Sequence, residues 1–166
     1  DLFEETYKKD VIDRYKLRGD TMLDTLVDIL ASAVGSLTNP TKLADTFNSH
    51  GIKTNKNTIA AYIDYLKDAF IISMAKRYDI KGKKYIGSPY KFYFTDVGLR
   101  NARLNFRQQE QTHILENIIY NELLVRGFNV DVGVVEYRKR DGNGKIVETR
   151  AEVDFVCNKG NRRYYI

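Results

Sequence analysis

Apolar residues recur at helical spacing near the start of the chain. One stripe covers residues 2–15 and ends before Gly19, and a second covers residues 22–34 and ends at Gly35. An interval of three or four residues between apolar positions is typical of an amphipathic helix, and glycine commonly follows its last turn. Thr21 is a residue type favoured at helix N-termini, so it predicts the start of the second helix. The first stripe consists of Leu2, Phe3, Tyr7, Val11, Ile12 and Tyr15.

Two further helices follow, joined by a short turn that contains glycine. Asn39 and Pro40 predict the start of the third helix, and Gly51 predicts its end. The fourth helix begins at a polar stretch, residues 55–57, and its apolar stripe over residues 59–70 ends with Phe70 on the buried side. Two helices joined in this way, the second with an open polar N-terminal end, are typical of a helix-turn-helix.

The next segment has the composition of a β-hairpin. Residues 71–78 and 90–94 are rich in strand-forming residues, and they flank a loop of lysine and glycine over residues 79–89. A hairpin that follows a helix-turn-helix is a wing. The first part of the chain is therefore predicted to be a helical winged helix-turn-helix module.

A polar stretch over residues 105–111 separates this module from the rest of the chain. Before it, Thr95 or Asp96 predicts the cap of a short helix, and after it an apolar stripe predicts a long helix over residues 108–126. We therefore divide the chain into residues 1–104 and 105–166. The predicted buried side of the long helix consists of Ile114, Leu115, Ile118, Ile119 and Leu123.

The last part of the chain has strand periodicity. Apolar and polar residues alternate over residues 128–134 and again over residues 151–157, and residues 141–144 supply the turn of a hairpin between them. A last strand begins near Arg162. Both termini fall inside predicted elements, so we expect a piece of a longer protein. The fold class predicted is α+β, with the winged helix followed by an incomplete α/β module.

Composition limits the environment and the partners. The chain has 166 residues, 43% of them hydrophobic, and a net charge of +5 that favours an anionic partner. Its single cysteine, Cys157, lies in an apolar run, which suits a reducing compartment. No stretch is apolar for long enough to span a bilayer, and the first ten residues are too polar for a signal peptide. These features predict a cytoplasmic location and no membrane contact.

Positive charge is concentrated on the predicted hairpin. Residues 76–91 contain six basic side chains and one acidic side chain. Basic side chains near a duplex neutralise phosphates, and the polar start of the fourth helix could reach bases or backbone. An alternative of equal weight is a solvated hairpin beside a helix-turn-helix that contacts protein. The candidate DNA-binding residues are Asn55, Lys56, Asn57, Arg77, Lys81, Lys83 and Lys84.

Three acidic residues of the second part could hold a metal ion. Strand alternation predicts that Glu152 and Asp154 share one face, about 7 Å apart along the strand, and Glu116 lies on the preceding helix. Carboxylates grouped in this way could bind Mg²⁺ for phosphodiester hydrolysis. Acidic residues on the solvent side of a strand are also ordinary, and spacing alone favours that interpretation. Neither histidine, His50 or His113, has a partner that suggests a triad or a zinc site.

Five segments in this order resemble one family. They are residues 58–66, 69–72, 91–99, 115–117 and 151–156, with the sequences TIAAYIDYL, AFII, KFYFTDVGL, LEN and AEVDFV. Their succession and spacing resemble the C-terminal region, a domain of unknown function, of prokaryotic AAA+-like (STAND-related) P-loop ATPases. The resemblance covers nearly the whole chain.

The resemblance implies an ATPase module outside this sequence, then a winged helix, then a domain similar to the PD-(D/E)XK nuclease fold. In that fold Glu116 and Asp154 would be the metal ligands and Glu152 would lie beside them, so these three residues are the candidate catalytic set. The lysine of the family motif would fall beyond Ile166, so this sequence lacks it. Mg²⁺ is therefore expected only if the longer protein completes the site. ATP is expected only in the missing module, because no GxxxxGK[ST] sequence is present here.

Three functions remain open at this point. The first is a regulatory region of an ATPase that binds double-stranded DNA. The second is an assembly module that binds another protein or a second copy of itself, and the third is a Mg²⁺-dependent nuclease domain. We rank them in that order, and we expect no catalytic activity from this sequence alone.

Overall fold

The computed structural model describes residues 9–17, 21–107, 110–140 and 142–166. Within these residues the chain forms six helices and five strands, which confirms the α+β class. The helices are α1 (Lys9–Tyr15), α2 (Thr21–Ser32), α3 (Pro40–Ser49), α4 (Lys56–Asp68), α5 (Val97–Arg103) and α6 (Gln111–Val125). The strands are β1 (Ile72–Asp79), β2 (Lys84–Phe94), β3 (Asn129–Arg140), β4 (Ile146–Lys159) and β5 (Arg162–Tyr165).

The capping residues set the starts of the helices as the sequence predicts. Asn39 accepts a hydrogen bond from the backbone N–H of Lys42 at 2.8 Å, and Pro40 is the first residue of α3. Asn55 caps α4 by accepting from two backbone N–H groups, and Asp96, not Thr95, caps α5. The predicted first helix is described only from Lys9 onward. Leu2, Phe3, Tyr7, Gly19, Gln108 and Asp141 lie outside the described residues.

The prediction that Phe70 belongs to the buried side of α4 is wrong. The helix ends at Asp68, and Phe70 has a φ of +56° and is 79% exposed. This left-handed residue turns the chain from α4 into β1, so its side chain points away from the stripe of Ile59, Ile63 and Leu66, which is buried.

The predicted hairpin forms, but its loop is much shorter than expected. β1 and β2 pair to the end of β1, with Asp79 opposite Lys84, so that residues 80–83 alone make the turn. The Asp79 carboxylate accepts a hydrogen bond from the Gly82 N–H at 2.9 Å. A Cβ at Gly82 would collide with that carboxylate, and Lys83 adopts a φ of +53°. This tight turn lets most of the predicted loop pair as strand.

The hairpin forms one edge of a larger sheet, with β2 as the outermost strand. The strand order is β2-β1-β3-β4-β5, and β1 pairs with β3 in parallel while every other pair is antiparallel. The sheet therefore draws strands from both sides of the predicted boundary at residue 104. Pairing between β1 and β3 covers only residues 77–79 and 132–134. Beyond Val134, β3 and β4 continue as a two-stranded ribbon.

Polar contacts tie the helices to each other and to the sheet. The Arg100 guanidinium is buried and donates to the Ala31 carbonyl at 2.9 Å, and Arg103 pairs with Asp28 at 2.6 Å, so α5 is fixed on α2. The segment after α2 runs along β2, where Thr38 and Tyr90 exchange backbone hydrogen bonds. The segment after α2 thus packs directly against the strand that carries Lys91.

The buried side of α6 differs from the prediction. Leu123 is buried, but Leu115 and Ile118 are 57% and 48% exposed. Asn117 and Tyr120 are buried instead. The Asn117 side-chain amide bonds both the N–H and the C=O of Phe94. The Tyr120 ring stacks on the Tyr93 ring, with 4.1 Å between the ring centres. An amide that satisfies two backbone groups rotates the helix away from its most apolar face.

No helix of the described residues has the length and apolar character that a membrane crossing requires.

Candidate functional site

Glu116 lies near the start of α6 and points at β2. Its side chain is only 16% exposed. One carboxylate oxygen, Oε1, accepts hydrogen bonds from the Lys91 ammonium at 2.9 Å and from the Tyr93 hydroxyl at 2.6 Å. Both donors come from one face of β2, because residues two apart in a strand point the same way. The predicted site residue Glu116 is therefore held by two groups, Lys91 and Tyr93, that are not in the predicted site.

The same ammonium also binds Glu152 of β4. Lys91 Nζ lies 2.5 Å from Glu152 Oε1, and the Lys91 side chain is 6% exposed. Two of the three predicted acidic residues are thus brought together, with a lysine between them. We call Lys91, Glu116 and Glu152 the lysine–glutamate cluster.

The charge of Lys91 is set by opposing effects. Burial lowers the pKa of its ammonium, but hydrogen bonds and attraction from Glu152 and Glu116 outweigh burial and raise the pKa above its ordinary value. Lys91 is therefore a permanent cation at neutral pH. A buried lysine is rarely found without such partners.

Aromatic rings close one side of the cluster. Tyr93 stacks on Tyr120 at 4.1 Å, and Phe155 lies within 6.2 Å of both rings. Burial, followed by the neighbouring Glu116, raises the pKa of Tyr93 well above its usual range, so its hydroxyl stays protonated and donates. This apolar wall keeps water from one side of the Glu116 carboxylate and strengthens its bond with Lys91.

The loop after α2 covers the other side of the cluster. Gly35 has a φ of +72°, and a Cβ there would lie 3.0 Å from Glu116 Oε2 and 3.3 Å from His113 Nδ1. His113 Nε2 lies 3.2 Å from the Glu110 carboxylate. His113 Nδ1 lies 4.0 Å from Glu116 Oε2 and is buried without a hydrogen bond. Gly35, which the sequence marked only as a helix end, is thus needed for the close approach of this loop to Glu116.

Asp154 does not join the cluster. It is exposed, and no hydrogen bond or ion pair links its carboxylate to another residue that the structure describes. The pairing of β3 with β4 shifts between Asp131–Val156 and Gly133–Val153, which inserts one residue into β4. Consequently Glu152 and Phe155, three residues apart, both reach the side of α6. Strict alternation, on which the prediction for Asp154 depends, does not hold across this bulge.

These donors do not fit a magnesium ion. A hard divalent cation needs several oxygen ligands, and among the described residues no group of three acidic, histidine or cysteine side chains converges. The position between Glu116 and Glu152 is filled by the ammonium of Lys91, whose charge would repel a metal ion. We therefore derive no metal-dependent step from these residues.

The basic residues of the hairpin turn are exposed and face a second basic element. Lys81, Lys83 and Lys84 are all exposed. Lys81 lines a cleft of about 750 Å³ together with Arg138 and Arg150 of the β3–β4 ribbon. Two glutamates of the cleft pair across the ribbon, Glu136 with Arg150 at 2.5 Å and Glu148 with Arg138 at 3.4 Å. The basic composition of the ribbon is visible in the sequence, but the predicted DNA-binding set does not include it.

The polar start of α4 is exposed as predicted. Asn55, Lys56 and Asn57 are all at the surface, and the Asn55 side-chain oxygen is engaged in capping the helix. No hydrogen bond or ion pair between described residues joins this helix end to the hairpin turn. The two parts of the predicted DNA-binding set are therefore separate surface features.

Arg77 has to be removed from the predicted DNA-contacting set. It is 3% exposed, and its Nε and Nη2 are buried without a hydrogen-bond partner. Burial, followed by the nearby Arg150, lowers the pKa of its guanidinium. The reason is its position on an inner strand, where Ile86 and Val132 pair with it on either side. A phosphate could not touch Arg77 in this arrangement.

Two relatives are similar to nearly the whole chain. A protein of Haemophilus influenzae, named only as an uncharacterized protein, is 32% identical over 165 residues, which is 99% of this chain and 38% of that protein. Uncharacterized protein MJ1544 of Methanocaldococcus jannaschii is 29% identical over 157 residues, 93% of this chain and 35% of that protein. The chain thus spans little more than a third of the length of these curated relatives. No solved structure matches it.

One family model matches residues 1–110, which include all of the chain up to the start of α6. This is about two thirds of the sequence. The resemblance to the C-terminal region of P-loop ATPases stays an interpretation. The chain belongs to the family described as Domain of unknown function (DUF8612).

Proposed function

We propose that this chain is the regulatory, DNA-contacting part of a larger cytoplasmic P-loop ATPase, and that it has no ATP site of its own. The observation that carries the proposal is the cleft between the β1–β2 turn and the β3–β4 ribbon. There Lys81 of one element and Arg138 and Arg150 of the other face the same open space. Duplex DNA is a dense row of negative charge, and clustered cations are its electrostatic footprint.

The ribbon has the shape and charge of an element that can follow a DNA groove. It projects beyond the last β1 pairing at Val134, and its side chains are largely exposed. A two-stranded ribbon fits the major groove of B-form DNA. Its two arginine–glutamate pairs hold the strands in register, while phosphates could compete with the glutamates for the same guanidinium groups. The basic residues of the ribbon are Arg138, Lys139, Arg140, Lys145 and Arg150.

The start of α4 supplies a further contact. Lys56 is exposed beside the open N-terminal end of this helix, and Asn57 follows it. Helix N-termini favour phosphate groups, and asparagine can bond either backbone or base edges. In the proposed complex this end would anchor the backbone while the cleft holds the neighbouring phosphates.

The ATPase assignment has two supports. Five ordered segments resemble the C-terminal region of P-loop ATPases, and both curated relatives are far longer than this chain, which covers 38% and 35% of them. In such a protein the DNA-contacting part would couple binding to the nucleotide state of the ATPase part.

The proposal is tested by the salt dependence of binding to a labelled duplex. Replacing Lys81, Lys83 and Lys84 together by alanine should weaken binding and reduce the log–log salt slope by up to about three. The matched control replaces Arg14, Arg126 and Lys159, three exposed cations away from the cleft. If both triple variants lose affinity equally, general charge explains binding and the cleft assignment fails.

An assembly module is the second candidate. Leu115, Ile118 and Val125 lie on one side of α6 and are 57%, 48% and 83% exposed. An exposed apolar stripe of this kind is typical of a protein contact. Replacing Leu115 and Ile118 by serine should abolish concentration-dependent association in sedimentation experiments. A monomer at all concentrations would leave this candidate without support.

The third candidate, a magnesium-dependent nuclease, has less support. Glu116 and Glu152 share a lysine, and Asp154 is turned away from them. A hydrolytic role would need a rearrangement of these side chains in the longer protein. The decisive comparison is cleavage by the full-length parent and by its Asp154→Ala variant, since equal cleavage would eliminate the candidate.

A further inference from the structure

A second pocket lies on the sheet and shares no lining residue with the cleft. Its wall includes Tyr120, which also closes one side of the lysine–glutamate cluster. It has a volume of about 480 Å³, which is within the range of small-molecule sites. All five strands contribute to it, and the end of α6 closes one side. Its polar lining includes Lys76, Tyr78, Tyr85, Asp131, Asn158 and Arg163.

Asp131 is the unusual residue of this pocket. It is 7% exposed on strand β3 and accepts one hydrogen bond, from the Tyr85 hydroxyl at 3.0 Å. No cation lies within ion-pair distance of it among the described residues. Burial raises the pKa of this carboxyl. The hydrogen bond from Tyr85 and the attraction of Lys76 and Arg163 reduce this increase without cancelling it. A buried carboxylate with one hydrogen bond and no cation beside it is costly, so a further donor from a ligand would stabilise it.

Two cations stand at the edge of the pocket. Arg163 lies 4.4 Å from the centre of the Tyr78 ring and donates to the Tyr78 hydroxyl and to Asn158. Lys76 lies 6.0 Å from the centre of the Tyr85 ring. Hydrogen bonds hold Arg163 in place, and neither cation pairs with Asp131. The pocket therefore offers a buried acceptor at one point and positive charge at another.

We propose that this pocket binds a purine nucleotide, and guanine in preference to adenine. The ligand must combine N–H donors for Asp131 with an anionic group for Lys76 and Arg163, and a nucleotide has both. Guanine presents two adjacent N–H donors on its Watson–Crick edge, which a carboxylate can accept together. Adenine presents a ring nitrogen acceptor at the corresponding place, which a carboxylate repels. The exposed ring of Tyr85 supplies a flat surface that suits a base.

The site could take a free nucleotide or a base that is unstacked from a nucleic acid strand. Both sources present the same chemistry. The proposal does not depend on the DNA contact proposed for the cleft, because the two sites share no lining residue.

The test is a calorimetric titration of the chain with guanosine monophosphate. The parent chain should bind guanosine monophosphate saturably, and it should bind adenosine monophosphate about tenfold or more weakly. The Asp131→Asn variant keeps the side-chain size and the Tyr85 hydrogen bond, and it should bind guanosine monophosphate about tenfold or more weakly than the parent. The Arg163→Met variant should lose affinity for the monophosphate but not for guanosine. The control variant Asp45→Asn changes an exposed acid on α3 and should bind like the parent. No saturation, or undiminished binding by Asp131→Asn, overturns the proposal.

A second arm separates the sources and the two proposals. A thymine oligonucleotide with one guanine is compared with the same oligonucleotide without it. Preference for the guanine-containing strand indicates that the ligand is a base of a nucleic acid. Competition by the monophosphate alone indicates a free nucleotide. Either result supports guanine binding in the pocket. The triple variant of Lys81, Lys83 and Lys84 should bind the monophosphate like the parent even where it loses the duplex.

Discussion

The Lys91 ammonium lies 2.9 Å from Glu116 Oε1 and 2.5 Å from Glu152 Oε1, so one side chain of β2 joins α6 to β4. The lysine occupies the position between two carboxylates that a metal ion would otherwise take. It thereby connects the part of the chain covered by the family model to the part that follows. The cluster is a structural joint between the two halves of the sequence.

Removing the lysine should destabilise the fold. Lys91→Met leaves Glu116 buried with Tyr93 as its remaining hydrogen-bond donor, and among the described residues it leaves Glu152 with no cation within ion-pair distance. Loss of one member of a buried ion pair costs about 3–5 kcal/mol, and we expect a decrease toward the lower end because Glu152 is 35% exposed. Urea unfolding followed by circular dichroism measures the free energy of unfolding.

The matched control is a pair on the surface. Arg138 and Glu148 are 3.4 Å apart and 75% and 81% exposed, so Arg138→Met should cost no more than about 1 kcal/mol. A Lys91→Met, Glu116→Gln double variant should recover part of the loss, because it removes the uncompensated charge. An equal cost for Lys91→Met and Arg138→Met would contradict the role given to the cluster.

The same substitution should create affinity for a divalent cation. Without the ammonium, two carboxylates face each other in a partly buried space and prefer a bound cation to mutual repulsion. We expect Lys91→Met to bind Mn²⁺ at least about tenfold more tightly than the parent, a difference of 1.4 kcal/mol. Electron paramagnetic resonance of free Mn²⁺ reports the binding, and Lys91→Met with Glu116→Gln should lose it. Equal Mn²⁺ affinity in parent and variant would show that Lys91 does not exclude metal.

Gly35 should be sensitive to a single methyl group. Gly35→Ala places a Cβ 3.0 Å from Glu116 Oε2 at a φ of +72°. Gly144→Ala is its control, because Gly144 has a similar φ of +78° and nothing within 4 Å of its Cβ position. Backbone strain should lower the free energy of unfolding by about 1 kcal/mol in each variant. Gly35→Ala should lower it measurably further because of the contact with Glu116. Equal melting temperatures for the two variants would argue against close packing at Glu116.

Asp131 should make stability depend on pH. Its pKa is raised in the folded chain, so its contribution is fully present below the unfolded value of about 3.9 and is lost as the pH rises through the folded value. The Asp131→Asn variant should therefore gain stability relative to the parent as the pH rises from about 4 toward neutral. Urea unfolding across this range measures the difference, with Asp45→Asn as control. A difference that stays constant with pH would contradict the burial effect.

Local chemistry made much of the fold predictable. Asn39 with Pro40, Asn55 and Asp96 mark helix starts because capping depends on a few neighbouring residues. The hairpins also follow from local sequence. The parallel pairing of β1 with β3 does not, because it joins residues far apart in the chain, and no local pattern distinguishes a hairpin that stands alone from one inside a sheet.

The site was half predictable for a similar reason. The resemblance predicts Glu116 and Glu152 as site residues, whereas the sequence pattern places Lys91 in the basic surface of residues 76–91. A signal was present, since Lys91 is the single charge in the apolar run of residues 90–94 and Asp131 the single charge in the apolar run of residues 130–134. A charge inside a buried strand indicates a partner. The prediction for Asp154 fails because a bulge in β4 interrupts the alternation of side chains. The prediction for Leu115 fails because side-chain hydrogen bonds, and not hydrophobicity, orient α6.

The most direct test of the account is the affinity of the chain for a labelled DNA duplex across a salt series. A DNA-contacting cleft predicts a linear decrease of log affinity with log salt concentration. The slope should decrease by up to about three when Lys81, Lys83 and Lys84 are replaced, and it should not change when Arg14, Arg126 and Lys159 are replaced. Absence of binding at low salt, or equal slopes in both triple variants, would contradict a DNA-contacting cleft.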